Sequence, residues 1–139
     1  LRAQRAEFVF PAYELYKKAP FLDFFQAFYL RDSEFLLMHP DHIDLGQQLY
    51  GCSHPVSQGL IRQQQNRYRD MFLIGIEFDK LRGLIDPNVE SAILADLCVH
   101  FVTDIFIFQS VYSQLTMQNI RLHCQQTLFL LSNGTKPRA

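Results

Sequence analysis

Apolar residues recur along most of this chain at three- and four-residue steps, the repeat of one helix face, and no β-branched run alternates with polar residues. Phe21, Phe24, Phe25, Phe28 and Phe35 share one such face, in a segment that Pro20 opens as its N1 residue and that ends near Met38. His39-Pro40-Asp41 restarts the chain as a short helix to about Tyr50. Gly51 to Pro55 reads as a loop, and a long helix follows over roughly 56–82. Its stripe is Leu60, Gln64, Tyr68, Met71, Phe72, Gly75 and Phe78, and Gly83 is its expected C′ residue. Asp86-Pro87 predicts the next start, with Asp as cap and Pro at N1, for a helix running to about Tyr112. Thr116 caps a last helix, which Asn133-Gly134 is expected to end. Residues 2–18 form a weaker helical segment that Pro11 starts or kinks.

The 87–112 helix carries two apolar stripes. One is Val89, Ile93, Leu97, His100, Phe101, Asp104 and Phe108; the other is Ala95, Cys98, Val99, Val102, Ile105 and Phe106. The last helix likewise has Ile120, Cys124, Leu128 and Leu131 on one side and Leu122 and Phe129 on another. A helix that is apolar nearly all round is a buried one. A domain this small is not expected to bury two of them alone, so both are expected to pack inward on one face and against a partner on the other. Two helices from each of two chains would form an isologous four-helix contact.

Composition narrows the classes. The chain has 139 residues, enough for one domain and one core, and 48% of them are hydrophobic. With 13 Lys+Arg against 14 Asp+Glu the net charge is −1, so no basic field supports nucleic-acid binding, and intrinsic disorder is excluded by the apolar content. Cys52, Cys98 and Cys124 are odd in number and widely spaced, which predicts reduced thiols in a cytoplasmic protein. No apolar run approaches the ~18 residues of a membrane span, and the charged start is not expected to act as a signal peptide. The absence of an initiator Met leads to the expectation that the chain begins partway through a longer protein.

The order of an aromatic helix, His39-Pro40-Asp41, a long helix ending Ile76-Glu77-Phe78-Asp79-Lys80-Leu81-Arg82-Gly83-Leu84-Ile85-Asp86-Pro87-Asn88, and then the apolar helix pair resembles the C-terminal effector-binding and dimerisation domain of TetR-type transcriptional regulators. The resemblance covers roughly residues 20–132. It implies an all-α multi-helix bundle whose last two helices form a four-helix dimer interface. It also implies a cytoplasmic homodimer that binds a small molecule, and no enzymatic activity or cofactor. Residues 1–19 would be the end of the connecting helix and 133–139 a C-terminal tail. Nothing in these residues resembles the helix-turn-helix domain of such regulators, so DNA contact is expected only through an N-terminal domain outside this chain.

Three helix faces would then surround an effector cavity, with Phe24, Phe28 and Phe35 on one, Tyr68 and Phe72 on the second, and Phe101 and Phe108 on the third. The ligand-binding set is Phe24, Phe28, Phe35, Tyr68, Phe72, His100, Phe101 and Asp104, suited to an apolar or aromatic effector that Tyr68, His100 and Asp104 would orient. The plainer reading is that the Phe residues fill a core. His100 and Asp104 lie four apart on one face, as a polar anchor or as a self-satisfied core pair. The dimer face is expected at Val99, Val102, Phe106, Leu122 and Phe129, although periodicity does not decide which stripe meets the partner.

His39, His42, Cys52 and His54 carry metal-ligand chemistry in a spacing unlike the common zinc patterns, and two of them precede proline as helix-start signals, so no metal is assigned. No Glu-x-x-His of a di-iron bundle is present. Arg62, Arg67 and Arg69 with Gln63 to Gln65 read as a solvated face. Asn133-Gly134-Thr135 reads as a helix end rather than a glycosylation site. No phosphate loop, serine elbow or catalytic carboxylate pair occurs. Two rivals remain: a structural dimerisation module with a filled core, and a small helical enzyme using His100 and Asp104 as an acid–base pair.

Overall fold

The computed structural model describes residues 19–103 and 116–138. Among these residues there are five helices and no strand: α1 (Phe21–Met38), α2 (Pro40–Gly51), α3 (Pro55–Leu81), α4 (Ser91–Thr103) and α5 (Met117–Thr135). The segment expected over 2–18 and the expected continuation of α4 beyond Thr103 lie outside the described residues.

Local chemistry sets most helix ends. Pro40 and Pro55 stand at N1 of α2 and α3, where a missing N–H costs nothing. The His54 ring accepts the Val56 N–H at 3.2 Å as the α3 cap. Thr116 caps α5 by accepting the Asn119 N–H at 3.2 Å. Gly83 takes φ +74 after α3. Its N–H donates to the Lys80 carbonyl at 3.1 Å, and the Leu84 N–H donates to the Asp79 carbonyl at 2.8 Å. Those two bonds are the pair of a Schellman motif.

Three ends differ from expectation. Pro20 is the N-cap of α1 rather than its first residue, and it offers no side-chain acceptor. The Phe21 N–H donates instead to Asp79 Oδ2 of α3. Asp86-Pro87 does not start α4. The Asn88 N–H donates to Asp86 Oδ1 at 2.8 Å and the Val89 N–H to the Asp86 carbonyl at 3.0 Å, which closes a turn, and the helix begins at Ser91. Asn133-Gly134 does not end α5, which continues to Thr135. There the Thr135 hydroxyl donates to the Leu131 carbonyl at 2.7 Å, and the Thr135 carbonyl accepts the Asp86 N–H at 2.8 Å. A tertiary partner for a last-turn carbonyl removes the need for a glycine stop.

The α1 helix touches all four others, and α3 and α4 run side by side as the most extensive pair. Phe21, Phe24, Phe25, Phe28, Phe35 and Leu36 of α1 are buried with Phe72 and Ile76 of α3, Leu94, Ala95, Cys98 and Val99 of α4, and Ile120 and Cys124 of α5. On α3 the buried face is Tyr68, Phe72, Gly75, Ile76 and Asp79. Leu60 and Phe78, expected on that face, are exposed. Asp79 takes the inner position because it has a backbone partner there, so the face drifts from the purely apolar stripe.

Candidate functional site

The aromatic residues form a layer between α1 and α3. Phe72 is fully buried, and its ring centroid lies 5.6 Å from those of Phe25 and Phe28, 5.9 Å from Phe21 and 6.4 Å from Phe24, all edge-on. Phe28 meets Tyr68 edge-on at 5.5 Å. Edge-to-face rings at such separations are mutually attractive, by about 0.5–1.5 kcal/mol per pair beyond the area they bury. The Tyr68 hydroxyl accepts from the Gln64 side-chain amide at 3.1 Å. Four of the sequence-predicted ligand residues, Phe24, Phe28, Tyr68 and Phe72, are therefore brought together, but against one another.

The other three described members of that set are dispersed. Phe35 packs its ring on His39 and His42, at centroid distances of 4.4 and 5.0 Å. Phe101 is half-buried and meets the His123 ring edge-on at 6.2 Å. His100 faces solvent, so it is no anchor inside an apolar stripe, and Asp104 lies outside the described residues. Sequence reasoning passed over a polar pair at the edge of the aromatic layer. The Tyr29 hydroxyl and His123 Nδ1 hydrogen-bond at 2.9 Å, with the two rings stacked 6.1 Å apart. Tyr29 and His123 are 94 residues apart, and no spacing signal connects them.

Among the described residues every buried side-chain nitrogen and oxygen has a hydrogen-bond partner. No group of three or more His, Cys, Asp or Glu residues is placed among them to hold a metal ion. The His39 and His42 rings lie together on Phe35, while Cys52 and His54 belong to the α2–α3 loop. The Cys52 thiol is held below its ordinary range by the His54 N–H and the Ser57 hydroxyl. Burial pushes Cys98 up, and pushes Cys124 up to about 11.

The second feature is on the outside. A groove of about 390 Å³ runs between the first turns of α4 and the last turns of α5. Its lining is Val89, Glu90, Ile93, Leu94 and Leu97 on one wall and Leu130, Leu131, Gly134 and Thr135 on the other. Ile93 is 62% exposed, Leu97 45% and Leu130 68%, and Phe129 stands beside Leu130 at 64%. The two α4 stripes are thereby told apart. Val99 and Val102 turn inward and are buried by their own chain, so they are not part of an outward face. The Ile93–Leu97 stripe faces out. Of the other expected dimer residues, Leu122 and Phe129 are exposed on α5, and Phe106 lies outside the described residues.

No family model, curated protein or solved structure matches the chain. What the site can do therefore rests on its own chemistry. It has a dense, hydrogen-bond-satisfied aromatic layer inside and an aliphatic groove with exposed rims outside. No helix among the described residues is long and apolar enough to cross a membrane.

Proposed function

We propose that this chain is the effector-binding and dimerisation domain of a TetR-type transcriptional regulator, pairing with a second copy through the outward faces of α4 and α5. The observation that carries the reading is the exposure of Ile93, Leu97 and Leu130 around an aliphatic groove between those two helices. Exposed apolar residues that are contiguous, rather than scattered, mark surfaces that associate. In this reading the protein is cytoplasmic, acts without a cofactor and is not an enzyme. DNA contact belongs to a helix-turn-helix domain outside these residues. The effector is a small apolar or aromatic molecule that biases the arrangement of the two copies by its differential affinity for two states. Its polar contacts would come from the Tyr68 hydroxyl and the Tyr29–His123 pair.

A second reading is favoured by the aromatic layer itself. Phe72 and its neighbours touch ring to ring and the buried polar atoms are satisfied, as in a structural dimerisation module with a filled core. Both readings require pairing, and only the first requires a ligand. Native mass spectrometry separates them. A dimer of the 16.3 kDa chain with extra mass lost on denaturation supports the effector domain. A dimer without extra mass, and without a thermal shift across a screen of aromatic and aliphatic ligands, supports the filled module. A Leu97→Glu variant that stays dimeric would remove pairing through the outward face of α4.

A further inference from the structure

Near its C-terminal end α3 carries a second apolar stripe, turned away from the core. Ile74, Phe78 and Leu81 follow one another at steps of four and three, so they share one side of the helix on successive turns. They are 46%, 50% and 84% exposed. That side is not the one that meets α1 or α4. Phe72, Ile76 and Asp79 turn toward α1, where Phe72 meets the α1 rings and Asp79 accepts the Phe21 N–H. Arg69 and Glu77 turn toward α4, where they bond Asp96 and the Ser91 hydroxyl. An outward helix face is ordinarily polar, and contiguous large apolar side chains on one mark a surface that associates.

The chain itself is led to this stripe. Arg82 stands one turn beyond Phe78, and its guanidinium donates to the Ala19 carbonyl at 3.3 Å while also holding the Asp79 carboxylate. Asp79 in turn accepts the Phe21 N–H, so both residues that flank Pro20 are fastened to the end of α3. Pro20 between them is extended, at φ −54 and ψ 148, which puts Ala19 off the helical path of α1 and against Arg82.

We propose that residues 8–16 dock on the Ile74–Phe78–Leu81 stripe of their own chain. They supply Phe8, Val9, Phe10, Tyr13, Leu15 and Tyr16. Residues 8–16 reach about 13 Å even when fully helical, and Ile74 to Leu81 span about 10 Å of helix axis. Their tether at Ala19 gives them an effective concentration of about millimolar beside the stripe, whereas a second copy would lose free translation and rotation on binding there. Docking of this segment requires neither an effector nor a partner chain, so it stands apart from the pairing reading.

The test is amide hydrogen exchange, read by mass spectrometry on the full chain at low and at high protein concentration. Amides of residues 8–16 are expected to exchange at least about tenfold more slowly in the parent than in a Phe78→Asp, Leu81→Asp double variant. Both positions are exposed, so that variant should keep the parent's protection at Phe72 and Ile76. Leu81→Asp alone, at the most exposed position of the stripe, keeps the test open if the double variant does not fold. Ile93→Asp places the same charge on an exposed residue of α4 and should leave residues 8–16 as protected as in the parent. Residues 8–16 that exchange as fast in the parent as in the folded stripe variants overturn the proposal, as does loss of their protection in Ile93→Asp. Protection that arises only at high concentration assigns the stripe to a second copy and overturns it as well.

Discussion

The backbone N–H of Phe21 donates to Asp79 Oδ2 at 2.7 Å, across 58 residues of sequence. The first turn of a helix leaves N–H groups without intrahelical partners, and a residue such as Asp or Ser just before the helix usually supplies one. Pro20 cannot. Asp79 supplies it from α3, while its Oδ1 takes the Arg82 guanidinium, which also donates to the Ala19 carbonyl at 3.3 Å. One carboxylate thus joins the start of α1 to the end of α3. Asp79→Ala should destabilise the fold by about 2–3 kcal/mol, because it leaves a buried donor unpaired. Asp79→Asn keeps one acceptor and should cost less. Urea midpoints of the two variants check the order.

Gly75 allows α3 to approach Phe21. A Cβ there would stand 2.9 Å from Phe21 Cδ2. Alanine is the better helix former by about 1 kcal/mol, so an exposed glycine would gain from the change. Here the ring of Phe21 is itself buried and has to move against Phe25 and Phe72. Gly75→Ala is expected to lose about 1–3 kcal/mol net. Gly59→Ala, where a Cβ meets nothing within 4 Å, should be neutral or stabilising. Thermal melts of the pair test the contrast.

Phe72 and Phe129 should respond in opposite ways. Phe72 is fully buried at the centre of the ring layer, and Phe129 is 64% exposed. Phe72→Ala should cost about 3–5 kcal/mol by opening a cavity among rings that cannot all close on it. Phe129→Ala should leave the denaturation midpoint of the isolated chain within about 0.5 kcal/mol of the parent value. A small aromatic compound that restores the melting temperature of Phe72→Ala would show that the layer accepts a ligand once space is made.

Asp86 links stability to acid. The Asn88 and Arg138 N–H groups hold its carboxyl below the ordinary value of 3.8. A carboxylate with a lowered folded-state pKa stabilises the fold in full above its unfolded value, and that contribution is lost as pH falls through the folded value. Parent and Asp86→Asn should therefore differ most at neutral pH and converge below about pH 4. Denaturant titrations at pH 7 and pH 3 give the sign directly.

The three thiols should separate by reactivity. Cys52 is half-buried with its thiolate favoured by two donors, whereas Cys98 and Cys124 are buried with raised pKa values. A disulfide reagent at pH 8 should label one cysteine quickly in the native chain and three after denaturation. Cys52→Ser should abolish the fast phase.

Much of the helical framework was written locally. Pro40, Pro55, Gly83 and Thr116 each act within about four residues, through a missing N–H, an allowed positive φ or a side-chain acceptor, and each stands at the helix end that its chemistry predicts. The phenylalanine repeat of α1 likewise marked a buried face before any partner was known.

The sequence by itself determined a chain of helices, where several of them start and stop, and that its core is aromatic. Only the tertiary structure decided which α4 stripe turns inward, because Val99 and Leu97 have the same periodic rank and differ only in what the neighbouring helices cover. It alone paired Tyr29 with His123, gave Asp79 to Phe21, and drew Asp86 to Thr135 and Arg138 rather than to a helix start. Periodicity describes one helix at a time. Which of its apolar or polar groups finds a partner depends on chain segments some 50 to 90 residues away, and it is the free energy of those distant contacts that chooses.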